Sequence, residues 1–375
     1  MIHRRCADLR HSEERHCLPS PPHGLRTHRT DRQTRRVSLL EVSIVIWAIV
    51  GLLVLVVAEV LFQWNALRVI LALIENSPPF RVESLPPDPD AETFSVQTPD
   101  GITLRGSLYR HTERTPRGLI VFCPEFASNH RSAMLYCSAL SRAGFHVLSF
   151  DFRNHGDSDS MPGYVPLHWL TQFEVTDLNT IINHVYSSPD LNELPLGLFG
   201  ISRGGSAALY VAAQRPEVLC VATEGAFGTT QLMLAHAQHF ISIAVPEMLV
   251  KMIPEWHIRG TFVLARLISQ RRRRCRYAML ERLLPRLANK PAFIIAGKRD
   301  TYVQPQVAQE IAQRIGQPNA LWIVEKAKHN LARSVNPAEY DRRLVEFFLV
   351  LDPSVEEADK TSDKQASPGL PTKPE

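Results

Sequence analysis

The sequence predicts an α/β fold in which a mostly parallel central sheet carries helices on both faces, and three observations point there. Between residues 92 and 351, apolar runs of strand length alternate with runs of helical periodicity, the pattern of strands joined by crossover helices. Several of those strands read as continuous apolar runs, as expected where both faces of a sheet are covered. At Leu196–Leu209 (LGLFGISRGGSAAL) an apolar run enters a tight turn with Ser202 between Gly200 and Gly204, then continues as a helix-forming run. A backbone this tight tolerates only small residues around the serine, and the turn lifts its hydroxyl clear of the sheet.

Taken in order, residues 1–36 hold nine Arg against four acidic residues, with Pro19, Pro21 and Pro22 and no apolar periodicity, so a disordered basic leader is expected. The remaining 33 basic and 34 acidic residues nearly cancel. The net charge of +4 therefore belongs to the leader rather than to a basic face, and no nucleic-acid partner is expected. Val42–Ala58 runs seventeen residues without a charge, and extending through Glu59 to Phe62 gives twenty-one, long enough as a helix to cross about 30 Å of hydrocarbon. Residues 37–75 are read as a transmembrane anchor, with a cleaved signal peptide (Thr34-Arg35-Arg36 is similar to a twin-arginine signal) and a buried core helix as the alternatives. Arg35 and Arg36 precede it, which predicts a single-pass protein with a cytoplasmic N-terminus and the large domain on the other side. A Pro-rich linker, 76–91, comes next.

Within the domain, 92–351, Glu92–Gln97 and Ile102–Arg110 read as a hairpin around Pro99-Asp100-Gly101. Gly118–Cys123, Phe145–Phe150, Val218–Thr223 and Pro291–Ala296 read as strands; Ala133–Ala143 and Thr171–Tyr186 read as helices. The insertion 226–290 is too long for a simple crossover and reads as a helical lid. Its apolar stretch Phe240–Ile253 fits either a lipophilic substrate or packing onto the core. Arg271–Arg274 with Arg276 fits either anionic headgroups or a solvated helix face. The polar, Pro-containing 352–375 is expected to be a disordered tail. The six cysteines form no C-x-x-C pair, so neither a disulfide framework nor a metal site is expected, and Cys123 and Cys220 read as small buried hydrophobes.

A serine hydroxyl becomes a nucleophile only when a base takes its proton, and the start of the following helix offers N–H groups to a developing oxyanion. Residues 92–350 resemble the α/β-hydrolase fold, most closely its esterase, lipase and serine-aminopeptidase-like members. The resemblance rests on Asp151–Ser158 (DFRNHGDS), similar to the family's D-x-R-G-x-G-x-S turn with Asn154 in place of a glycine, and on the serine turn Gly200–Gly204. It rests also on Pro291–Pro305 (PAFIIAGKRDTYVQP) and Leu321–Asn330 (LWIVEKAKHN), similar to the strands and loops that present the family's acid and histidine.

The resemblance implies a serine hydrolase with Ser202 as nucleophile, His329 as base and Asp300 as the acid that orients it, without metal or cofactor. Glu224, which ends the strand before the lid, is the alternative acid. It also implies oxyanion donors at the backbone N–H groups of Arg203 and Phe126. Pro124-Glu125 stands where relatives often carry His-Gly, which sets a carboxyl group beside the oxyanion site. The implied substrate is a small-molecule or lipid ester. Acyl transfer to another acceptor, amide or peptide cleavage, and an idle scaffold serving as an interaction module are the alternatives, the last disfavoured by the intact set of three. The oligomeric state is not legible.

Overall fold

The computed structural model describes residues 30–76, 85–244, 254–352 and 354. The leader up to residue 29, most of the linker, lid residues 245–253 and the tail beyond 354 lie outside the described residues, as do Cys6 and Cys17. The chain divides after Gln63 into two compact units.

Helix α1, Thr30–Glu75, opens seven residues before position 37, where the sequence reading begins the anchor. Arg and Gln are good helix formers, so a helix nucleated by the apolar run propagates outward through them. Its apolar side chains in the first unit are exposed, and Ser38–Glu75 is a candidate membrane span by length and composition. The last turns, from Trp64, belong to the second unit: Ile70, Leu71 and Ile74 are buried in its core, and Trp169 Nε1 donates to the Ile74 carbonyl at 2.8 Å. Only the part of the 37–75 helix before Trp64 therefore remains a candidate span. Beyond Phe62 polar side chains (Gln63, Asn65, Arg68) interrupt the run, and apolar residues of the final turns lose their water to the protein core.

The sheet has eight strands in the order β1-β2-β4-β3-β5-β6-β7-β8. These are β1 Glu92–Gln97, β2 Thr103–Tyr109, β3 Leu119–Cys123, β4 His146–Phe150, β5 Leu196–Ile201, β6 Val218–Glu224, β7 Ala292–Gly297 and β8 Leu321–Val324. β1 and β2 pair antiparallel, as do β2 and β4; every other pairing is parallel. Successive side chains of a strand point to opposite faces. In β3, Leu119, Val121 and Cys123 accordingly join one core layer and Ile120 and Phe122 the other. Covering the sheet are α2 Ala133–Arg142, α3 Gln172–Ser187 and α4 Arg203–Ala212. The lid contributes α5 Thr229–Ala244 and α6 Glu255–Arg273; α7 Pro305–Ile315, α8 Ala332–Val335 and α9 Pro337–Phe348 complete the series.

Sequence chemistry explains the element ends. Thr171 and Glu174 form a reciprocal capping box at the start of α3. Asn154 takes φ +62° where the resemblance expects glycine, a conformation asparagine tolerates, and its amide bridges the Met161 N–H and the Tyr164 carbonyl at 3.0 Å each. Behind it the fully buried Arg153 is held by Asp177, Nη2 to Oδ1 2.6 Å, and by Asp100, Nη1 to Oδ2 2.6 Å. At the far end, buried Asp352 pairs with Arg117 and accepts the Ser354 N–H at 3.0 Å, so the fold extends past residue 351 into the expected tail. The arginine run at the end of α6 is not merely solvated. Arg272 lies 3.7 Å from Glu75, Arg273 donates to the Val165 carbonyl, and Arg274 turns left-handed to close the helix.

Candidate active site

Ser202 stands between β5 and α4 with φ +52° and ψ −118°, a conformation that costs a non-glycine residue roughly 1–3 kcal/mol and is fixed by its surroundings. The Ser202 N–H donates to the Glu224 carbonyl at 2.7 Å, tying the turn to β6. Gly204 explains the turn's close approach: a Cβ there would lie 2.1 Å from the Cys123 carbonyl oxygen. The bare backbone lets α4 pack directly on the segment after β3.

The structure brings together the three groups that the resemblance implied. Ser202 Oγ lies 3.0 Å from His329 Nε2, and His329 Nδ1 lies 2.6 Å from Asp300 Oδ2. Asp300 is buried, and its Oδ1 accepts the N–H groups of Tyr302 and Val303 at 2.8 Å each, so the carboxylate is clamped before it meets the imidazole. All three lie just past the carboxyl ends of parallel strands, where loops of such a sheet converge. Gly225 makes room for the imidazole: its φ is +65°, and a Cβ there would stand 3.1 Å from His329 Cε1.

Glu224 does not reach the histidine. Its Oε1 accepts the Ala332 N–H and its Oε2 the Tyr340 hydroxyl, both at 2.8 Å, so it anchors the segment beyond His329. Burial raises its carboxyl above the ordinary range.

Arg203 is the first residue of α4, where an N–H has no intrahelical acceptor. Phe126 lies in the turn after β3, and its N–H donates to no backbone carbonyl among the described residues. The Phe126 ring covers the buried Arg203 guanidinium at 5.0 Å, which joins the two expected oxyanion residues. Arg203 in turn meets His155 Nε2 at 3.0 Å and Glu174 at 3.6 Å.

Two groups at the site escaped the sequence reading. The Tyr302 ring packs on His329, centroids 5.1 Å apart, and the His168 ring lies between Tyr302 (5.9 Å) and Phe126 (6.5 Å). Burial pushes His168 down to about 3, so it is neutral. Tyr302 was detectable two residues after Asp300, whereas His168 carried no signal in the sequence. His130, Asp151 and Asp157 place three ligand atoms within 4.8 Å of one another. Asp151 already accepts the N–H groups of His130 and Asp157 and the His130 ring, and Arg131 pairs with Asp157 at 2.6 Å. That donor set serves the turn.

Glu125, beside the site, is 7% exposed and its Oε2 has no partner. Burial pushes its carboxyl up to about 7, with Glu224 adding to the effect and His329 opposing it. The unfolded chain gives up this proton near 4.5, so between pH 4.5 and 7 the folded chain holds more protons and stability falls as pH rises. The loss is complete above about 7 and amounts to roughly 3–4 kcal/mol. Glu125→Gln removes it. The variant should gain stability over the parent progressively from pH 4.5 to 8 in urea unfolding, and a difference independent of pH would contradict this.

Comparison with known proteins adds to this geometry. A family model described as serine aminopeptidase, S33, matches residues 114–334. A protein of unknown function from the traX-finO intergenic region of Escherichia coli is 29% identical over 130 residues, 33% of this chain and 44% of its own length. The chain thus matches less than half the length of that relative. Mycobacterium tuberculosis protein MT2364, also uncharacterised, is 22% identical over 284 residues, 75% of this chain and 87% of its own. Among solved structures, the Pyrococcus furiosus esterase Pf2001 superposes with a TM-score of 0.54 at 23% identity, covering 74% of this chain and 97% of the esterase. DcsB, solved with its substrate analogue, gives 0.52 at 17% identity over 70% and 99%. At these identities the two structures speak for the fold alone. Family match and fold agree: the chain belongs to the serine aminopeptidase S33 family of α/β-hydrolases.

Proposed function

We propose that the chain is a membrane-anchored serine hydrolase that cleaves carboxylic esters of hydrophobic acyl groups. The observation that carries this reading is the relay from Ser202 through His329 to Asp300, spaced at 3.0 and 2.6 Å on a strained turn. His329 Nε2 takes the Ser202 proton as Oγ bonds to the ester carbonyl carbon, and the carbonyl electron pair becomes an oxyanion facing the N–H groups of Arg203 and Phe126. Asp300, held by two backbone N–H groups, keeps the Nδ1 proton in place and stabilises the imidazolium. The imidazolium then returns the proton to the departing alkoxide, leaving an acyl-serine. Water, deprotonated by the same imidazole, attacks that acyl carbon and releases the carboxylic acid with free Ser202.

The apolar lid stretch and the candidate span support a lipophilic substrate met at a membrane, with the N-terminus cytoplasmic and the domain on the opposite side. Rates on nitrophenyl esters of rising chain length, with the matching nitroanilides as amide comparators, test the reading. Ester turnover that rises with chain length and exceeds amide turnover is expected, together with labelling by a fluorophosphonate. No turnover above buffer and no labelling would remove the esterase reading.

A further inference from the structure

We infer that a cavity between the lid helices and α7 is a second ligand site, suited to an anionic amphiphile whose head group also carries hydroxyl donors. The cavity measures about 780 Å³, within the usual range for small-molecule sites, and none of Ser202, Asp300 and His329 lines it. Its apolar wall comes from Met233, Leu234, Phe262 and Val263. Its polar wall is left incomplete by the fold: Gln231 Oε1, Arg266 Nε and Glu281 Oε2 are buried atoms without a hydrogen-bond partner.

Arg266 is the group most in need of a ligand. A guanidinium stays charged in any protein environment, yet the partner of its Nη1 is the thioether of Met279 at 2.7 Å, a weak acceptor. The carboxylate nearest in role, Glu310, is already engaged by Gln231 Nε2 at 2.6 Å and by Arg314. An oxyanion would complete Arg266, with Arg282 adding positive charge at the exposed rim. A bare oxyanion would also meet Glu281, whose Oε1 accepts the Gln231 N–H at 3.0 Å while its Oε2 faces no donor. O–H groups beside the anion answer both Glu281 Oε2 and Gln231 Oε1. A single-chain glycerophosphate has this combination, with its alkyl part against the apolar wall.

The test uses the full chain in phosphatidylcholine nanodiscs and calorimetric titration with four probes: decyl phosphate, ether-linked decylglycerophosphate, decylglycerol and inorganic phosphate. Decylglycerophosphate should bind most tightly, and decylglycerol and inorganic phosphate about tenfold or more weaker, the loss of one charge-assisted contact or of the chain. Arg266→Met should weaken both alkyl phosphates about tenfold and leave decylglycerol unchanged, and Arg266→Lys should recover part of the loss. Glu281→Gln should close the gap between decyl phosphate and decylglycerophosphate by removing the repulsion on the bare anion. If Arg266→Met does not fold, Arg282→Ala at the exposed rim should still lower alkyl phosphate affinity severalfold. Nanodiscs containing phosphatidylglycerol separate two sources of the ligand: competition with the probe identifies a membrane headgroup, and its absence a free amphiphile. Ser202→Ala should bind the probes as the parent does, so failure here is separable from failure of the esterase reading. Equal affinity of decyl phosphate for the parent and a folded Arg266→Met, or inorganic phosphate binding as tightly as decyl phosphate, overturns the proposal.

Discussion

Replacing Ser202 by alanine should lower kcat on a nitrophenyl ester by about 10⁴–10⁶-fold while leaving the melting temperature almost unchanged. Chemistry and architecture rest on different atoms of this residue. Ser202 Oγ touches His329 Nε2, but the turn is held by the Ser202 N–H on the Glu224 carbonyl and by the close packing at Gly204, and alanine preserves both. Alanine also keeps the strained φ of +52°, so the cost of that backbone is the same in both proteins. Ser202→Gly should be equally inactive yet about 1 kcal/mol more stable, because glycine adopts positive φ without a Cβ penalty. Loss of fluorophosphonate labelling in both variants, with a higher urea midpoint in the glycine form alone, is the expected pair of results. An alanine variant that kept a tenth of parental turnover would assign the nucleophile elsewhere.

Much of this arrangement was legible in the sequence because it is local. Strand, serine turn and helix are encoded within fourteen consecutive residues, and continuous apolar runs separated by helical periods announce a parallel sheet. What stayed hidden depends on contacts between distant segments. That the end of α1 leaves the apolar run to bury Ile70, Leu71 and Ile74 depends on Trp169, some 95 positions away, and no local pattern announces it. The same holds for Asp352, which reads as the first residue of a polar tail until Arg117 is seen beside it. His168 enters the site from a loop without helical or strand periodicity, and only the fold sets it against Tyr302 and Phe126. Glu125 shows the converse. Its position beside the oxyanion site was evident, but its burial, and hence its raised carboxyl, depends on what packs over it.

The second large effect concerns which carboxylate serves the histidine, since sequence order allowed both Asp300 and Glu224. Asp300→Asn should lower kcat by about 10⁴-fold with little change in KM or fold. An asparagine Oδ1 can still accept the Tyr302 and Val303 N–H groups, so the loop is kept, but its amide N–H₂ then faces His329 Nδ1. That contact favours the tautomer with the proton on Nε2, where a lone pair is needed to take the serine proton. Glu224→Gln tests the alternative with equal economy. The glutamine carbonyl still accepts one of the Ala332 and Tyr340 donors, so activity should fall by less than about tenfold, with a stability change near 1 kcal/mol. Since the Asp300 defect is one of proton placement, turnover in Asp300→Asn should recover as pH rises and solvent hydroxide takes the serine proton directly. Recovery is absent if the loss is a disordered loop, so a flat profile between pH 7 and 10 would assign Asp300 a structural role, and a Glu224→Gln enzyme as inactive as Asp300→Asn would reverse the assignment.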